Sequence, residues 1–521
     1  MKKNLNFSVQ SKVIGAVAAC AISLFAGRAA AQAGPGGGSS QGTQAVQLPL
    51  SGRGGAGGSV NSAETPVPGT TTSVNTLNPN VQVQGPYTGS ASSVSKMPFS
   101  GRLSFQEAIQ RGLTYNLGAI GLAEMVRQAD GMRQVSRSSL LPNLNGSFNE
   151  NYLTENLRAL GVHFNVPGFN FPTLVGPFNY FDARAKLTQS VLDLTAINNY
   201  RAAREVQHSD ELSALDARDM VVLAVGGTYL QVIAAKARVA SARAQLQTAD
   251  ALYQQAVQQR AVGLIAQVDV NRSQVQSLTE QQRLLSLEDD LAKQKIDLAR
   301  LTGLPPTNQY EISDDVPLPA APTIELDAAL KTAFAQRPDL KAAESQLRAS
   351  ELARAAARSE LLPSVSVSAD YGDIGLNPAQ GYGTYTINGS VKIPLWQGGR
   401  AKGDIQEADA ALAQRRAELE DLKSLVESQV RKAFLDLQAS ESQVEVARKN
   451  EQVSRETLDL TKQRFEAGVA DSVEVVQSEQ TVASAELDYI NSVFGLNLAK
   501  LSLARAMGGA AENLSQLINK P

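Results

Sequence analysis

The chain has 521 residues, 19% charged and 5% aromatic, with 48 Lys plus Arg against 51 Asp plus Glu for a formal charge of −3. That near balance excludes a strongly basic nucleic-acid binder and an acidic solvating chain. One cysteine, Cys20, and two histidines, His163 and His208, leave no disulfide framework, thiolate metal site, histidine pair at metal spacing or histidine base for a nucleophile, so no enzyme, cofactor or resident metal is expected.

Lys2, Lys3 and Lys12 precede an apolar run from Val13 to Gly27, and Ala29-Ala30-Ala31 follows before Gln32. This order predicts a signal peptide over residues 1–31, cleaved after Ala31. The run of 15 residues would rise about 22 Å as helix, short of a roughly 30 Å hydrocarbon core. Val17-Ala18-Ala19-Cys20 offers a lipoprotein box as the competing reading, but only four apolar residues would precede it. Residues 32–98 hold 13 glycines and 7 prolines, with only Arg53, Glu64 and Lys96 charged, which predicts a disordered leader, a swapped or docked arm being the competing reading. No window after Gly27 has 18 consecutive apolar residues, so any membrane crossing is expected from strands.

The rest of the chain reads twice. Leu103 to Ile109 resembles Ile324 to Leu330, and Ser139-Leu140-Leu141-Pro142 resembles Glu360-Leu361-Leu362-Pro363. Late in each half, Gly263 to Val270 resembles Gly468 to Val475. The spacing predicts repeats over 99–302 and 324–509, a linker over 303–323 and a tail over 510–521, hence a fold with internal pseudo-symmetry.

Each repeat opens with two moderate helices, Phe105 to Asn116 and Leu122 to Leu141, then Leu326 to Ala335 and Asp339 to Leu362, bounded by Pro142, Pro338 and Pro363. Strands follow, about 143–191 in the first repeat and 364–393 in the second. Tyr385, Ile387, Gly389, Val391 and Ile393 alternate with small polar residues, giving one apolar face, and Gly372 to Gly383 reads as a loop. His163 falls in the long first-repeat connection and reads as solvated. Proline-free stretches then predict long helices over 196–260 and 402–466, each about 97 Å, with return helices over 268–301 and 473–507. Gly263 and Gly468 mark the return turns.

Four strands cannot close on themselves, and open edges in hydrocarbon cost several kcal/mol per unpaired group. The strands are therefore expected to complete a barrel with copies of the chain. A solid helical bundle stays open on periodicity alone.

Leu187 to Leu194 opens the first long helix, and Val391-Lys392-Ile393-Pro394-Leu395-Trp396-Gln397-Gly398-Gly399-Arg400 opens the second. With the duplicated leucine–proline signal, these strings resemble bacterial outer-membrane efflux proteins of the TolC type from roughly Leu103 to Gly509. The resemblance implies a mixed fold, an α-helical barrel joined to a transmembrane β-barrel. Four strands per protomer would complete a twelve-stranded barrel in a homotrimer, above a tunnel of long coiled helices in the periplasm. It further implies an outer-membrane location in contact with lipid, docking to a periplasmic adaptor and a proton- or ATP-driven inner-membrane pump, and no nucleic acid. The function implied is a passive exit duct for efflux or type I secretion.

The resemblance places the gate at the turns Gly263 to Val270 and Gly468 to Gln477. Glu474 matches a ring-forming carboxylate that would attract cations in a trimer, giving weak cation binding, and Gln477 stands where a second one is expected. Without the resemblance, Glu474 reads as a helix-start carboxylate favoured by the dipole. Asp269 matches a carboxylate that holds the gate shut, but Phe465 replaces a tyrosine and Ala470 an arginine that would contact it. The closed state is then expected to use other links, involving Asp471 and Arg464, and Asp269→Ala to raise conductance only slightly. At the strand–helix junction, Asp193 and Pro394 end the strands. Trp396 reads either as an interfacial aromatic or as a packing residue, and Gly398 and Gly399 read as a bend. The alternatives are a non-conducting periplasmic spacer, and an enzyme for which no constellation is present.

Overall fold

The structure is a computed structural model. It describes residues 59–67, 76–91, 99–157, 159, 173–307, 309–313, 325–467, 469 and 472–511. The signal peptide, His163 and most of the tail lie outside the described residues.

Among the described residues, eight strands and eight α-helices follow in order. β1 (Val60–Val67), β2 (Thr76–Val83) and β3 (Arg102–Leu103) precede α1 (Phe105–Tyr115) and α2 (Leu117–Ser138). β4 (Asn143–Asn156) and β5 (Leu174–Leu192) lead into α3 (Leu194–Ala261) and α4 (Gln267–Thr302). After β6 (Glu311–Ile312), the second half repeats the pattern with α5 (Leu326–Gln336), α6 (Pro338–Ser359), β7 (Ser364–Gly375), β8 (Gly381–Lys392), α7 (Arg400–Glu466) and α8 (Ser472–Met507).

Local chemistry sets the ends. Asp193 caps α3, its Oδ1 accepting from Ala196 N at 2.9 Å, so the helix begins two residues before the expected start. Asn116 caps α2 by accepting from Gly118 N at 2.9 Å, which starts that helix at Leu117 rather than Leu122. The expected loop from Gly372 to Gly383 is mostly strand: β7 and β8 pair from Ser364↔Lys392 to Gly375↔Gly381, because glycines on both sides admit a tight ladder.

β4, β5, β7 and β8 form one antiparallel sheet in the order β4-β5-β7-β8. Its register aligns Leu144, Leu187, Ala369 and Ile387 across one face, with Tyr371 opposite Tyr385 one row on. This apolar face is uncovered: Phe148, Tyr152, Tyr385 and Ile387 are all exposed. On the opposite face Arg184 bridges Asp182 at 3.2 Å and donates to Asp370 and to Thr384 Oγ1. The arrangement is the reverse of a soluble sheet, whose greasy side is the one that is covered.

The core lies halfway along α3. Val221, Val222, Val225, Tyr229 and Val232 are fully buried and cluster with Leu103, Ile109, Leu298, Phe494 and Leu501. This segment includes an 18-residue window of mean hydropathy 1.5, long and apolar enough to cross a membrane, but 72% buried inside the protein. Its apolarity is explained by packing among helices.

The leader departs from expectation. β1 and β2 pair over eight residues, Val60↔Val83 to Val67↔Thr76, and Val60 is buried. Val81 packs where Gly227 of α3 leaves room; a Cβ there would meet Val81 Cγ2 at 2.3 Å. Tyr87 is also buried, with Asn116 Nδ2 donating to its carbonyl at 2.8 Å. These few apolar side chains find a groove on the helices, and that burial offsets ordering a segment whose average composition favours disorder. The linker likewise contributes β6, which pairs in parallel with β3, a ribbon too short to leave a sequence pattern.

A buried charge cluster joins the second half to α3. Arg337, at the α5–α6 junction, donates to Asp339 at 2.6 and 2.9 Å, to Gln429 Oε1 at 2.7 Å and to the Ala506 carbonyl. Arg505 pairs with Asp216 at 2.7 Å, and Asp219 accepts from the backbone N–H groups of Gly509 and Ala511.

Candidate functional site at the helix tips

α3 and α4 form one hairpin, α7 and α8 the other, and both turn at the end remote from the sheet. The first turn follows Ala261: Gly263 N donates to the Arg260 carbonyl at 3.0 Å and Leu264 N to the Gln259 carbonyl at 2.9 Å. Gly263 has φ +78°, a conformation that L side chains rarely adopt. In the second turn, Ala467 N donates to the Gln463 carbonyl and Val469 N to the Arg464 carbonyl. Gly468, Ala470 and Asp471 lie outside the described residues.

Glu474 stands in the first turn of α8 and pairs with Arg464 of α7 at 3.0 Å, both about half exposed. Its charge is tied into its own hairpin. Gln477, three residues on, is exposed. Asp269 stands in the first turn of α4, where the helix dipole favours a carboxylate, and Arg272 Nη1 lies 3.4 Å away. Phe465 and Leu252 pack against a cluster of Leu458, Val475 and Val482. Asp269 and Phe465 line one cavity of about 560 Å³ between the hairpins, so the structure brings them to the same place, with Phe465 serving as an apolar wall.

Several residues here escaped the sequence. Glu479 of α8 is 9% exposed and lines the same cavity. Burial, reinforced by Glu280 and opposed by Lys462, pushes its pKa up to about 7. Higher up, Glu486 of α8 accepts from Ser241 and from Gln245 (3.1 Å) of α3 and from Arg455 of α7 at 2.8 Å. Arg238 of α3 donates to Asn491 Oδ1 of α8 at 2.6 Å. These contacts tie one hairpin to the other. The available signal was the spacing of Arg238, Ser241 and Gln245, three and four residues apart on one helix face.

At the opposite end, the strand–helix junctions differ between halves. Asp193 is a buried cap. Its counterpart region runs from Pro394 through Trp396, which is 88% exposed, to Gly398 and Gly399 with φ of +62° and +92°. Arg400 Nη2 then meets Glu360 Oε2 at 3.1 Å, anchoring the start of α7 to the end of α6.

A sequence model described as "outer membrane efflux protein" matches residues 122–304 and 329–509, one segment in each repeat and more than half of the chain together. The chain belongs to the outer membrane efflux protein family. Relatives include the pyoverdine export outer membrane protein OpmQ of Pseudomonas putida, 24% identical over 59% of this chain and 67% of that protein. The toluene efflux pump outer membrane protein TtgC of Pseudomonas putida is 22% identical over 60% of this chain and 64% of its own. The chain thus spans about two thirds of the length of these relatives. Among solved structures, VceC of Vibrio cholerae superposes with a TM-score of 0.68 at 18% identity, covering 78% of this chain and 96% of that one. CusC gives 0.67 at 16% identity, covering 81% and 100%. The fold is therefore that of the TolC-like channels, and this family member is an outer-membrane protein of efflux.

Proposed function

We propose that the protein is the passive outer-membrane exit duct of a tripartite export system, a homotrimer in which the strands of three copies close a twelve-stranded barrel above a tunnel of α3, α4, α7 and α8. The observation that carries this reading is the four-stranded sheet with an uncovered apolar face, ion pairs on its other face, and two open edges at β4 and β8. Pairing β8 of one copy with β4 of the next satisfies those edges and turns the apolar face to lipid. The ion-paired face then lines water. Trp396, Leu395 and Ile393, all exposed below the sheet, suit the periplasmic lipid interface.

In this arrangement the tips of the two hairpins surround the axis and form the gate. Each Glu474 carries its own Arg464, so the ring is partly neutralised and holds cations weakly, and the exposed Gln477 adds no charge. The protein performs no chemistry; a periplasmic adaptor and an inner-membrane pump select cargo and supply energy. The export of pyoverdine and toluene by named relatives supports small-molecule cargo over type I protein secretion. Reconstitution into planar bilayers tests the duct reading: the purified protein should give discrete ion-conducting steps and a trimeric mass. A monomer that leaves bilayers silent overturns it in favour of a periplasmic spacer.

A further inference from the structure

The cavity between the hairpins has an unusual chemical balance. Its volume of about 560 Å³ falls within the range of small-ligand pockets. Leu252, Leu264, Phe465 and Val475 supply apolar walls, and none of the residues lining it is Lys or Arg. Glu479 and Gln259 both line it, and one oxygen of each, Glu479 Oε1 and Gln259 Oε1, is buried without a hydrogen-bond partner. Glu479 itself is more than nine-tenths buried. An unpartnered buried acceptor is costly, and two beside one cavity of mixed polar and apolar lining define what would relieve them: N–H donors on a partly apolar body. A bare metal ion fits poorly, since no group of three or more His, Cys, Asp or Glu converges among the described residues.

We infer that this cavity is a binding site for a small amphipathic organic cation, a protonated amine on an apolar body, with Glu479 and Gln259 receiving the ammonium and Phe465 and Leu252 packing on the body. Such a ligand would touch all four long helices at once, because the cavity is lined by α3, α4, α7 and α8. Binding therefore favours the arrangement in which the two hairpins lie together. In the duct reading that is the closed tip, but the binding itself does not depend on that reading.

The charged groups facing Glu479 are Asp269 and Glu280 from α4, Lys462, Glu466 and Arg455 from α7, and Glu486 of its own helix. The site holds an ammonium best when the Glu479 carboxyl is ionised. Affinity should then fall as pH drops from 8 to 6, through the range where burial has placed its titration.

The test uses the full-length protein in one detergent, titrated with 4-phenylbutylamine and separately with 4-phenylbutanol by calorimetry. The expected result is saturable amine binding at one site per chain, at least tenfold tighter than the alcohol, weakened at least tenfold by Glu479→Gln and lost on filling the cavity with Ser273→Phe. Amine and alcohol binding alike, no saturable amine binding, or Glu479→Gln binding as tightly as the unaltered protein would each overturn the proposal. Channel recordings separate the readings: amine binding in a silent protein sinks the duct and spares the site, whereas conduction without amine binding does the reverse.

Discussion

Glu479 and Glu474 sit five residues apart on α8 and behave in opposite ways. Glu474 is half exposed beside Arg464, whereas Glu479 is buried and holds its proton up to about pH 7. The folded state binds a proton at Glu479 that the unfolded chain, with an ordinary value of 4.5, releases. Its stability contribution is therefore undiminished below pH 4.5 and falls as pH rises through 7, a loss on the order of 3 kcal/mol. Glu479→Gln should abolish that decline, raising the thermal midpoint at pH 8 while leaving it nearly unchanged at pH 4. Arg464→Ala should uncover the Glu474 charge and shift the reversal potential in a salt gradient toward cation selectivity. The position of Glu474 was legible because its string aligns with the first half of the chain. The burial of Glu479 was not, since it depends on which face of α8 meets α4, and 36 residues of mixed Ala, Ser, Val and Glu define no narrow stripe.

Elements with strong local rules were the readable ones. A proline-free run of good helix formers specifies α3 and α7 to within a few residues, and strict alternation specifies β8. The β1–β2 hairpin was unreadable because its order comes from a distant partner: Gly227 on α3 provides the space that Val81 fills. Gly227→Val should push the hairpin off its helix and expose β1 and β2 to protease, at a cost of about 1–3 kcal/mol. The junction of α5 and α6 carries a comparable hidden dependence. Arg337→Ala should destabilise the protein by about 2–4 kcal/mol in denaturant unfolding, because it empties a fully buried site and leaves the partly buried Asp339 without its guanidinium.

At the scale of the molecule, the polar contacts between the two hairpins gather away from the tips, at Arg238–Asn491, around Glu486 and at Arg505–Asp216. Glu486 alone joins α3, α7 and α8 through Ser241, Gln245 and Arg455. Glu486→Ala should remove all of these at once and, in planar bilayers, raise the open probability several-fold, with Glu486→Gln intermediate because its carbonyl still accepts. The gate expected from resemblance relied on Asp269 meeting a tyrosine and an arginine. This chain instead places Asp269 beside Arg272 and concentrates hairpin-to-hairpin contacts further from the tip. The overall plan was legible because duplication and open strand edges constrain topology strongly. The contacts between the hairpins were not, because side chains 245 positions apart meet only after both hairpins have packed.

The sheet joins the halves of the chain through β5 and β7, from Phe181↔Gly375 to Leu192↔Val365. A ribosome that has finished the first half has made only a lone two-stranded ribbon, too little to persist by itself. Until the second half follows, the apolar side of β4 and β5 has no neighbouring strand beyond that ribbon. Closing so long a chain loop is slow, and the delay exposes a sticky intermediate. Synthesis order thus leaves the greasy ribbon waiting on the second half for its neighbours.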